Sequence, residues 1–114
     1  MDNKDICKKM CTHLGQRDIP GLCQYLAKDI VIEYPAAPQA TIKGKQQLTE
    51  VLQGFFGWAT DGKATVLRSV SQDNTVWLEC LDSWYIENTW VDVPIVSIFE
   101  LKDQLIVRWT EYLD

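Results

Sequence analysis

Two acids stand where alternation expects apolar side chains. In VWLECLDSWYI, residues 76–86, the set Val76, Leu78, Cys80, Asp82, Trp84 and Ile86 is apolar except for Asp82. In LIVRWTEYLD, residues 105–114, Glu111 keeps step with Val107 and Trp109. A strand shows every second side chain to one face, so each acid points where its neighbours are expected to be buried. An unpaired carboxylate is costly to desolvate, so such a group sits at a rim, is paired, or does chemistry. Two carboxyls in one apolar hollow cannot both ionise cheaply: one keeps its proton near neutrality while the other stays charged. That arrangement is an acid and a base in one site, able to protonate a leaving oxygen while activating water, or to move a proton along a carbon skeleton. The structural alternative is an inward acid hydrogen-bonded to a helix N-terminus, a Tyr or a Trp.

Other residues offer weaker chemistry. Glu33 and Tyr34 stand where a strand runs into Pro35, at the expected pocket mouth, and the Tyr34 phenol either donates to an oxyanion or packs. His13 is a proton shuttle or an exposed helical histidine. Cys80 has no base nearby in sequence to make it a nucleophile. The expected catalytic set is therefore Asp82, Glu111 and Tyr34. The expected substrate-binding wall is Trp84, Trp109, Phe55, Val93 and Ile95, with Cys80 and Met10.

The elements that must position these residues follow from periodicity. Ile6, Cys7, Met10, Cys11 and Leu14 recur at helical spacing over residues 3–14, and Gly15 is placed to end that helix. Asp18 caps a second short helix with Pro20 in its first turn. DIVIEYP, residues 29–35, reads as a strand, with a further short one at Thr41–Lys43. In KQQLTEVLQGFFGW, Leu48, Val51, Leu52, Phe55 and Phe56 form the stripe of a third helix. After a turn at Asp61-Gly62 the period changes to 2. Strands are expected at Ala64–Ser71, Thr75–Ile86, Trp90–Leu101 and Leu105–Leu113, joined by turns short enough for antiparallel neighbours. Pro94 must fall at an edge, a bulge or a position whose N–H is not needed. The class is α+β, a curved antiparallel sheet with helices over one face, in a single domain of residues 1–114.

Bulk properties narrow the partners. The 114 residues carry 16 acids against 11 bases, a net charge of −5 that repels polyphosphate, so nucleic acid is not an expected partner. The N-terminal MDNKDICKKM lacks the blocks of a secretory signal, and no run is long enough to cross a bilayer. A cytoplasmic protein without membrane contact is expected, its four cysteines reduced. One histidine and no Cys-x-x-Cys leave no four-ligand metal set, and no glycine-rich phosphate loop occurs, so no cofactor is expected. Trp77, Leu81, Tyr85 and Val96 make the opposite sheet face too apolar to stay wet, and a homodimer through that face is expected.

The stretches CQYLAKDIVIEYP, IKGKQQL and IVRWTEYLD carry a resemblance over nearly the whole chain. Together with the element order they resemble the nuclear transport factor 2-like superfamily, in its SnoaL-like and limonene epoxide hydrolase-like branch. The resemblance implies a cone-shaped fold. On the hydrolase pattern, Asp82 matches a catalytic Asp, Glu111 matches the last Asp with one extra methylene, and Trp109 and Tyr112 match their neighbours. The catalytic Arg position is Cys80, and the water-holding Tyr and Asn fall at Ile32 and Tyr34, so that set is broken. On the ketosteroid isomerase pattern, the key positions fall at Tyr34, Met10 and near Ser97, which excludes its dyad chemistry. What the resemblance implies is a cofactor-independent enzyme that cyclises, isomerises or hydrolytically opens a small hydrophobic, oxygenated molecule. The alternatives are a non-catalytic binder of an apolar ligand and a dimeric assembly module.

Overall fold

Asp2 starts the first element: its carboxylate accepts from the Asp5 backbone N–H at 2.8 Å, and helix α1 runs Asn3–Gly15. The structure, a computed structural model, describes residues 1–113. Every apolar residue expected on the inner face of α1 is buried. Asp18 caps α2 (Ile19–Cys23) by accepting from Gly21 N–H, with Pro20 in the first turn where no donor is required. Helix α3 spans Lys45–Trp58 and buries Leu48, Leu52 and Phe56.

Six strands form one sheet: β1 (Leu26–Glu33), β2 (Ile42–Lys43), β3 (Ala59–Gln72), β4 (Thr75–Ile86), β5 (Thr89–Lys102) and β6 (Leu105–Leu113), in the order β2-β1-β6-β5-β4-β3. The α+β class stands, with one correction: β1 and β6 pair in parallel, and the other neighbours are antiparallel. The two-residue turns Glu87-Asn88 and Asp103-Gln104 take positive φ at both positions, which matches the twist of the flanking strands. Pro94 pairs with Leu81 on β4, and on its other side β6 pairing begins only at Ile95. Among the described residues β6 offers Pro94 no partner, a place that a residue without an N–H tolerates.

Bulges bend the sheet and explain where the simple alternation misleads. Ile106 pairs with Leu101 and Arg108 with Glu100, which leaves Val107 as an extra residue. Ile106 and Trp109 are consequently both buried, and Val107 is only partly so. The inward partner of Trp109 and Glu111 is therefore not Val107, as alternation suggested. β1 likewise shifts against β6 between Leu26 and Val31, turning Lys28 and Asp29 outward and starting the strand before the expected Asp29.

β3 follows α3 without a break and takes in Asp61 and Gly62, where a turn was expected. Thr60 is the extra residue of a bulge, and Asp61 Oδ1 accepts from Gly62 N–H at 2.8 Å. Gly62 pairs with Trp84, and a Cβ added there would run into the indole and the Gly15 carbonyl. The missing side chain lets the end of α1 cross β3 while Trp84 lies across the strand.

Candidate functional site

The concave face of the sheet, α3 and the end of α1 enclose a cavity of about 410 Å³. Its polar side chains are few. Asp82 comes from β4, Glu111 and Trp109 from β6, Trp84 from β4, and Tyr34 from the residue after β1, where it continues the inward series Ile30, Ile32. The rest is hydrocarbon and aromatic ring. Phe55 stands edge-on to Trp84 with 4.9 Å between centroids, and Trp58 stands edge-on to Phe55 at 6.2 Å.

Strand register shows how two distant residues come to share this space. Asp82 pairs with Val93 on β5, whereas Glu111 pairs with Ser97 on the same strand. On a flat lattice that offset is ~13 Å along the strands and ~10 Å across two of them. The curl of the sheet folds this diagonal over the cavity, and both side chains border it. Among the described residues, no hydrogen bond joins the two carboxyls, and the Asp82 charge acts on Glu111 through space.

The environments set their proton affinities apart. Asp82 is 6% exposed, and burial pushes its pKa up to about 6. Glu111 is partly buried as a residue and borders the cavity. Burial, and then the Asp82 charge, push it up to about 8. The Trp109 indole opposes that rise, although its buried Nε1–H has no hydrogen-bond partner. It lies near enough to favour the carboxylate but is not aligned as a bond. Burial and the Glu111 charge push the Tyr34 phenol above its ordinary range, so it stays protonated and can only donate or accept weakly.

The structure thus brings Asp82, Glu111 and Tyr34 together with Trp84, Trp109, Phe55, Val93 and Ile95. Met10 and Cys80 stand apart from the cavity. Met10 is fully buried in the core, and the Cys80 thiol lies beside that of Cys11 on α1. Both residues are expected on the wall, and the packing between α1 and β4 absorbs them instead. His13 is also outside, held at 2.9 Å from Asp18 Oδ2, and Glu33 turns outward to pair with Arg108 at 2.9 Å. Sequence reasoning missed Ile86 and Val91, which line the cavity. Following the inward alternation of β4 past Trp84, and of β5 back from Val93, would have found them. Among the described residues no three His, Cys, Asp or Glu side chains converge to hold a metal, and no helix is long and apolar enough to cross a membrane.

The sequence profile of the SnoaL-like domain matches residues 7–109, and the chain belongs to that family. A search of curated proteins gives no significant match. Among solved structures, an LEH-like epoxide hydrolase from M. tuberculosis is similar at 20% identity, with a TM-score of 0.85, over 98% of this chain and 82% of that one. IdmH, a putative polyketide cyclase from Streptomyces antibioticus, is similar at 18% identity and a TM-score of 0.85, over 100% and 93% of the two chains. An NTF2-like protein of unknown function from Burkholderia pseudomallei is similar at 13% identity and a TM-score of 0.86, over 100% and 92%. At these identities the three show the fold.

Proposed function

We propose that this SnoaL-like domain is a cofactor-independent enzyme in which Glu111 donates and Asp82 accepts a proton on a small hydrophobic, oxygenated substrate. One observation carries the reading: two carboxyls border a single apolar cavity with proton affinities pushed apart, to about 8 and about 6. Near neutrality the first is mainly a neutral acid and the second mainly a base. In the hydrolytic version, Asp82 takes a proton from water as the water oxygen attacks a ring carbon. The carbon–oxygen bond breaks, and Glu111 gives its proton to the departing oxygen. Proton exchange with solvent then restores both groups. Isomerisation or ring closure uses the same pair, one group removing a proton and the other supplying one. Membership of a family whose structural neighbours include an epoxide hydrolase and a putative polyketide cyclase supports small-molecule chemistry in general.

The test is turnover of a panel of aryl and cycloalkyl epoxides in ¹⁸O-labelled water, followed by Asp82→Asn and Glu111→Gln. Each substitution is expected to lower kcat by ~100-fold or more, the usual worth of a positioned proton donor or acceptor. Variants that stay folded and within about threefold of the parent contradict the mechanism.

We also propose assembly through the outer sheet face. On it Arg68 meets Glu79 at 2.7 Å, Arg108 meets Glu33, and Ser83 donates to Asp92, beside the half-exposed apolar surface of Trp77, Val96 and Tyr112. A face apolar between its ion pairs suits a second copy of itself.

A further inference from the structure

The charge of the cavity is one-sided. Among the described residues its carboxyl groups are those of Asp82 and Glu111, and no lysine, arginine or histidine borders it. Three cations on neighbouring elements are engaged elsewhere: Arg17 donates to the Phe56 carbonyl, His13 meets Asp18, and Arg108 meets Glu33 and Glu100. Asp82, at 6% exposure, faces this space with neither a hydrogen bond nor a cation to stabilise its charged form. A buried carboxylate without a counter-ion is an expensive feature to keep, and the cavity has room for a ligand to supply one.

The walls have matching chemistry. Trp84 lies two residues from Asp82 on β4, and Trp109 two residues from Glu111 on β6, so each carboxyl has an indole on its own strand and face. Phe55 and Tyr34 add rings from the other sides. A cation among aromatic faces gains from their quadrupoles, and it gains more where water is excluded. The Trp109 Nε1–H, buried and unpartnered, calls in turn for an acceptor oxygen.

We infer that the ligand of this site is an oxygenated, apolar amine, protonated or quaternary, whose ammonium lies against Asp82 among the rings of Trp84, Trp109 and Phe55. The inference rests on the reading of the cavity as the working site and names the class of its substrate. A neutral oxygenated ligand meets Glu111 and Trp109 but leaves Asp82 alone. An amine completes all three: its ammonium takes one Asp82 oxygen, the other oxygen stays open to accept a proton, and Glu111 is left free to deliver its own. The titratable groups facing Asp82 are Glu111, Tyr34 and the thiols of Cys11 and Cys80, none of them a cation at neutral pH.

Phenyltrimethylammonium and its neutral carbon isostere tert-butylbenzene test this in calorimetry and tryptophan fluorescence. The cation is expected to bind at least ~10-fold more tightly at about pH 8, with the margin shrinking at about pH 5 as Asp82 takes up its proton. Asp82→Asn is expected to abolish the margin, the cation losing affinity relative to tert-butylbenzene. Equal or tighter binding of the isostere, or a margin indifferent to both pH and Asp82→Asn, overturns the inference. If the variant does not fold, the pH series on the parent decides alone. Binding of the isostere without the cation overturns the amine and leaves the acid/base reading standing. Failure of both ligands to bind overturns the cavity as a ligand site, and both readings with it.

Discussion

Asp82 and Glu111 were legible because each is a lone acid in an otherwise inward-facing series, and that signal survives bulges elsewhere in the strand. Their separation was not legible. It depends on a register in which Asp82 faces Val93 and Glu111 faces Ser97, and no single strand pattern contains that information. Val107 shows the same limit at one position, since alternation cannot reveal which residue a bulge skips. Met10 and Cys80 were misplaced for a different reason: periodicity says which face a residue occupies, not what packs against it. The unequal pair predicts a bell-shaped pH dependence of kcat/KM. Activity rises as Asp82 loses its proton near pH 6 and falls as Glu111 loses its own near pH 8. These limbs are macroscopic values of the pair. Glu111→Gln should remove the alkaline limb, which a pH–rate series on the variant's residual activity would show.

Among the elements, β4 and β6 and the helices α1 and α3 had bounds within a residue or two of those expected. Strong periodicity and tight turns define them. β3 was misjudged because Asp61-Gly62 reads locally as a turn, whereas Gly62 is there to let Trp84 lie across the strand. Gly62→Ala forces a Cβ against the indole and the Gly15 backbone, neither of which can yield cheaply. A loss of about 1–3 kcal/mol is expected, as overpacking usually costs. It should appear as a lower Tm together with a changed near-ultraviolet tryptophan spectrum. An unchanged spectrum would mean that Trp84 is not held by this contact.

At the scale of the whole molecule, the buried carboxyls tie stability to pH. Both bind protons more tightly folded than unfolded: Asp82 moves from 3.8 to about 6, and Glu111 from 4.5 to about 8. Their contribution is fully present below the unfolded values and is lost as pH rises through the folded ones. Denaturant unfolding should therefore show stability falling between about pH 4 and pH 8, with about 2 kcal/mol of that change assigned to Asp82. Asp82→Asn should flatten the slope. At lower pH the slope reverses, because hydrogen bonds hold Asp2, Asp18 and Glu79 below the carboxylate range and their protonation weakens the fold. The outer face predicts a dimer in sedimentation, and Val96→Asp should make it a monomer with its pH–rate profile retained. The helix-covered sheet and its apolar outer face were visible in the sequence. The parallel β1–β6 pair was not, because it joins the two ends of the chain and leaves no local mark.

The central claim is that two carboxyls bordering one apolar cavity bind protons unequally. Carboxyl ¹³C chemical shifts, followed through a pH titration of Asp- and Glu-labelled protein and assigned with Asp82→Asn and Glu111→Gln, measure it directly. The expected result is one carboxyl titrating near 6 and one near 8, with the Glu111 midpoint falling when Asp82→Asn removes the neighbouring charge. Two midpoints near 4, each indifferent to loss of the other group, would contradict it.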